Sequence, residues 1–125
     1  MTESQEQGLE GAGIHVNILL PPSWLERTHL DLVDRIVRAL YEHPQTRAAI
    51  EAAGGGTATG EPRYVSLSEL QRGAPPPGVP FLNAAIGVIT VPSPRGGVQA
   101  VEAAIKEVAP PGTKVEQAVV GGIPN

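Results

Sequence analysis

Residues 81–108 read FLNAAIGVITVPSPRGGVQAVEAAIKEV. Two periodicities meet in this stretch, and the fold class depends on where one gives way to the other. Phe81 to Val91 is a nearly continuous apolar run carrying Ile86, Val88, Ile89 and Val91, β-branched residues that suit a pleated strand. Continuous apolar character predicts burial on both faces and therefore a central strand. Beyond Gly97, the apolar residues Val98, Val101, Ala104, Ile105 and Val108 recur at three- and four-residue intervals, the signature of an amphipathic helix. Pro92-Ser93-Pro94-Arg95-Gly96-Gly97 joins strand to helix.

Working outward, Pro110-Pro111-Gly112 turns the chain, and Val115, Ala118, Val119 and Val120 predict a last strand ending near residue 121. Towards the N-terminus, Ile14, Val16 and Ile18 alternate with His15 and Asn17, the period of a strand, before Pro21-Pro22 ends it. Ser23-Trp24-Leu25-Glu26 spells a capping box. The stripe Leu25, Leu32, Val33, Ile36, Val37 and Leu40 then predicts a helix, with Asp31–Arg35 and Asp34–Arg38 spaced for ion pairs on its outer side. Pro44 cannot continue that helix but suits the start of another, expected to run to about Ala53 and to stop at Gly54-Gly55-Gly56. Arg63-Tyr64-Val65 reads as a short extended piece. Ser66-Leu67-Ser68-Glu69 repeats the capping-box spelling, and GAPPPGVP reads as a stiff loop.

Strands interleaved with helices predict an α+β domain with one sheet and helices on one face. The count fits a ferredoxin-like, split βαβ arrangement, with a small open α/β layer as the alternative. Residues 1–12 are polar and acidic and read as a disordered tail, residues 13–121 as a single α/β domain, and residues 122–125 as a C-terminal tail.

Composition removes several function classes. The chain has 125 residues, no cysteine, four aromatic residues (Trp24, Tyr41, Tyr64 and Phe81) and a net charge of −4. Thiolate and disulfide chemistry are excluded. The lack of basic runs and stacking faces speaks against nucleic acid as a partner. No apolar run is long enough to span a membrane, and the N-terminus does not read as a secretory signal. A cytoplasmic protein is expected, and the Ala, Gly, Pro and Arg usage suggests a GC-rich, bacterial genome.

The strand-to-helix junction comes closest to chemistry. A helix N-terminus offers free N–H groups and a positive dipole end, Gly96 and Gly97 allow close approach, Ser93 supplies a hydroxyl and Arg95 a bidentate fork. These residues form the expected anion- or ligand-binding set. Against this, the spelling matches neither G-x-x-x-x-G-K-[ST] nor G-x-G-x-x-G, and two prolines remove donors, so a plain β-to-α turn is the favoured reading. Gly54 to Gly60 follows a helix instead of opening one, and reads as a mobile loop. His15, Asn17 and Asn83 form a candidate pocket. His29 and His43 have no ligand spacing between them, so no metal and no cofactor is expected. No catalytic residue can be assigned. The leading expectation is a non-enzymatic, homo-oligomeric binding or assembly module, because a short domain with an exposed sheet edge often hides it against a copy of itself. The alternatives are a sensing domain for a phosphorylated or carboxylated metabolite, an anionic small molecule, and a cofactor-free isomerase or lyase using His15 or His29 with Arg95.

Overall fold

The computed structural model describes residues 14–22, 30–55, 61–66, 69 and 78–119. The expected tails 1–12 and 122–125, the first capping box and His29 lie outside them. In chain order the described elements are β1 (Ile14–Leu19), α1 (Leu30–Glu42), α2 (Pro44–Ala52), β2 (Val65–Ser66), β3 (Phe81–Asn83), β4 (Val88–Pro92), α3 (Gly97–Ile105) and β5 (Lys114–Val119). This is an α+β fold with a mixed, open five-stranded sheet in the order β2-β3-β4-β1-β5. β1 runs antiparallel to both β4 and β5, β3 is antiparallel to β4, and β2 lies parallel to β3. β4 and β5 therefore point the same way on either side of β1, and α3 makes the crossover between them.

The expected single strand from Phe81 to Val91 is corrected by the structure. It is a hairpin, β3 and β4, folded over Ala84–Gly87. Three features bend it. The Asn83 carbonyl accepts from the N–H groups of Ile86 (3.3 Å) and Gly87 (2.9 Å). The Asn83 side-chain Oδ1 accepts from Ala85 N–H at 3.2 Å, an Asx turn. Gly87 takes φ 69°, in the left-handed region that glycine enters without steric cost. Ile86 consequently sits at the hairpin tip at 60% exposure instead of in a strand core. Burial on both faces is corrected too: β4 buries Ile89 and Val91 and leaves Val88 and Thr90 half-exposed.

All three of the described helices share one apolar core with one face of the sheet. Val16 and Ile18 of β1, Leu82 of β3 and Ile89 and Val91 of β4 pack with Val33, Ile36, Val37 and Leu40 of α1, Ile50 of α2 and Val101 and Ile105 of α3. Each fully buried Val, Ile or Leu side chain contributes on the order of 1.5–3 kcal/mol relative to exposure. With so few aromatic residues, this aliphatic interlock is the main source of stability.

The α1–α2 junction forms as Pro44 predicts. Pro44 begins α2 after an extended His43. Buried Thr46 donates its hydroxyl to the carbonyl of Leu40 and also lies 3.2 Å from that of His43, satisfying the end of α1. The stop at Gly54-Gly55 is a backbone-on-backbone contact. A Cβ at Gly55 would fall 2.6 Å from both C and O of Gly78. Tyr41 from α1 seals the same corner, donating to the carbonyls of Gly55 (3.2 Å) and Arg63 (3.3 Å). The extended piece at 63–65 appears as β2, shifted to Val65–Ser66 and paired parallel to β3. Glu69 accepts the Ser66 N–H at 2.9 Å, the return arm of the second capping box. The expected pair Asp31–Arg35 forms at 3.2 Å.

Candidate functional site

β4 ends in Pro92, and Ser93 to Gly96 carry the chain into α3. Gly97 N–H donates to the Pro94 carbonyl at 2.9 Å, closing a turn and consuming one amide that an anion cradle would use. Gly96, at φ 94°, precedes the helix with no side-chain cap. Ser93 is engaged elsewhere: its Oγ accepts from Gln117 Nε2 of β5 at 3.0 Å. Pro94 is buried, and Arg95 is exposed. Gln45 of α2 stands 3.8 Å from where a Gly96 Cβ would lie, whereas the space around a Gly97 Cβ is open to 4 Å. The four residues Ser93, Arg95, Gly96 and Gly97 are adjacent as the chain dictates, but their hydrogen bonds are those of a turn tied to β5.

His15 and Asn17 do share a face, the one turned away from the helices. The registers lay this face out in three rows. Lys114, Leu19, Val88 and Asn83 form the first; Glu116, Asn17, Thr90 and Phe81 the second; Ala118, His15 and Pro92 the third. Thr90 donates to Asn17 Oδ1 at 2.8 Å across the middle of the surface. Asn83 lies two strands and one row from Asn17, roughly 12 Å at the usual strand spacing and rise, with its Oδ1 committed to the hairpin turn. The three residues therefore lie on one face of the sheet, with β4 between Asn83 and the pair His15 and Asn17.

His15 Nδ1 and His43 Nδ1 are both buried without a hydrogen-bond partner. His43 belongs to the α1–α2 corner, away from this face. Among the described residues no cluster of His, Asp or Glu has the makings of a metal site. No helix among them is long and apolar enough to cross a membrane. Burial holds both described tyrosine hydroxyls above their ordinary value. Arg63 opposes the effect at Tyr41, and at Tyr64 the adjacent Asp34, which hydrogen-bonds it, adds to it.

Two features of the surface were not singled out from sequence. Thr90 is, with Asn83, one of two polar residues inside the apolar run from Phe81 to Val91, a signal that it faces away from the core. Lys114 and Glu116, two residues apart on β5, fall on the uncovered face and stand exposed. No family model, curated protein or solved structure matches the chain.

Proposed function

We propose that the chain is a non-enzymatic binding module that assembles with copies of itself through the uncovered surface of its sheet. One observation carries this reading: every described helix packs on the same face. Leu19, Phe81, Val88, Pro92 and Ala118 are thereby left half-buried on the other face, beside a six-residue edge strand. Apolar side chains on an open sheet and an unpaired edge both favour association. The strand order supports a ferredoxin-like class. β5-β1-β4-β3 is an antiparallel set with helices in both crossovers, and β2 is added at the rim. A cytoplasmic setting accords with a chain free of cysteine.

The test is the mass of the full chain in solution by sedimentation velocity over a wide concentration range. A dimer or larger species is expected, and a monomer at all concentrations overturns the proposal. Anion sensing at the start of α3 is the second reading, supported by the open space at Gly97 and the exposed Arg95. A thermal-shift panel of sugar phosphates and carboxylates checks it. A shift lost in Arg95→Ala would favour sensing, and no shift in any compound would leave the junction as a turn.

A further inference from the structure

β5 is the more open of the two sheet edges. The opposite edge is the two-residue β2, whereas β5 runs for six residues with no proline and with no strand on its outer side among the described residues. The hydrogen-bond phase of this edge follows from the fold. Leu20 N–H donates to the Gly87 carbonyl at 2.8 Å, so the even residues of β1 address β4 and the odd ones address β5. The β5 partners of His15, Asn17 and Leu19 are Ala118, Glu116 and Lys114. Those three point their backbone groups inward, so Val115 and Gln117 point theirs outward.

That phase restricts how β5 can pair with itself. Hydrogen-bonded pairs must join outward-pointing residues of both copies, so a two-fold axis passes through a residue, not between two. Centred on Lys114 or on Glu116, the pairing sets like charges opposite one another. Centred on Gln117, it sets Glu116 against Ala118. Centred on Val115, it sets Lys114 of each copy opposite Glu116 of the other, twice over. These are non-hydrogen-bonded positions, where facing side chains come closest. Both side chains are exposed on the uncovered face, and neither forms an ion pair among the described residues.

We propose that β5 pairs antiparallel with β5 of a second copy in the register centred on Val115, with Lys114 facing Glu116 across the axis. The two sheets become one, with the helices of both copies on the same side and the two uncovered faces continuous. This inference rests on the assembly reading above and adds to it an edge contact, which joins the two uncovered faces into one wider surface.

The test is a charge reversal read by sedimentation equilibrium. Lys114→Glu and Glu116→Lys each convert two attractive pairs into two repulsive ones and should weaken dimerisation about tenfold or more. The double exchange restores both pairs and should restore the wild-type constant. Far-UV circular dichroism checks that each variant is folded. The chain has no cysteine, so a single introduced thiol reports the register independently: Val115→Cys should form a disulfide-linked dimer on mild oxidation faster than Gln117→Cys. If wild type is a monomer, both this inference and the assembly reading fail. If it associates but is indifferent to the reversals, or crosslinks faster through residue 117, the register fails and the assembly reading stands.

Discussion

Gly55→Ala tests how tightly the corner between α2 and β3 is built. A methyl group there would sit 2.6 Å from the Gly78 carbonyl carbon and oxygen and 2.8 Å from Ile50 Cγ2. Two of these neighbours are backbone, so relief requires the segments to part. Overpacking of this kind costs about 1–3 kcal/mol. Parting the segments also stretches the Tyr41 bond to the Gly55 carbonyl, adding up to about 1 kcal/mol. The expected loss is about 2–3 kcal/mol, a fall in melting temperature of roughly 8–12 °C at this chain length. Gly97→Ala is the contrasting case. Unlike Gly55, Gly97 has a positive φ, 60°, but it has nothing within 4 Å of its Cβ position, so only the left-handed backbone is penalised, at about 1 kcal/mol. Urea unfolding followed by circular dichroism measures both, with an unchanged slope showing that the midpoint shift is stability. If Gly55→Ala is no worse than Gly97→Ala, the backbone contact is not formed and the reasoning is wrong.

The tyrosines give a pH prediction. Both have folded-state values raised above the ordinary one, so the folded state holds its protons longer than the unfolded chain. Their contribution is fully present below about pH 10 and is lost as pH rises through the raised folded values. Wild type should therefore lose stability in that window more steeply than Tyr41→Phe or Tyr64→Phe, and parallel curves would contradict it. On α1, Ile36→Ala should cost about 2–5 kcal/mol, because the side chain is fully buried. Its neighbour Arg35→Ala should cost at most about 0.5 kcal/mol, its pair with Asp31 being exposed; comparable midpoint shifts would refute the placement of this helix. Gly87→Ala, at φ 69° in the β3–β4 turn, should cost about 1–2 kcal/mol or more through backbone strain. An unchanged urea midpoint would contradict the hairpin.

The elements with strong periodicity were legible in the chain. The alternation around His15 and Asn17 marked β1 and its two faces, the stripe through Ile36 and Leu40 marked α1, and Pro44 marked the start of α2. The hairpin was not legible, because its turn is spelled with Ala84, Ala85 and Ile86. Only Asn83 and Gly87 carry turn chemistry, and they sit too far apart to read as a two-residue turn. β2 has two residues and so no period, and its placement depends on contacts distant in sequence, such as the Tyr41 bond to the Arg63 carbonyl and the Val65 N–H bond to the Pro80 carbonyl. The face that His15 and Asn17 share was legible from their alternation with Ile14, Val16 and Ile18. Its rows depend on strand order, which no local pattern encodes, so the placement of Lys114 and Glu116 beside it emerged only from the registers.

The central claim is that the uncovered sheet surface assembles copies of the chain, and the sedimentation velocity of the full chain addresses it most directly. A species of twice the monomer mass or more, growing in proportion as concentration rises, is the predicted result. A single monomeric boundary at every concentration would contradict it.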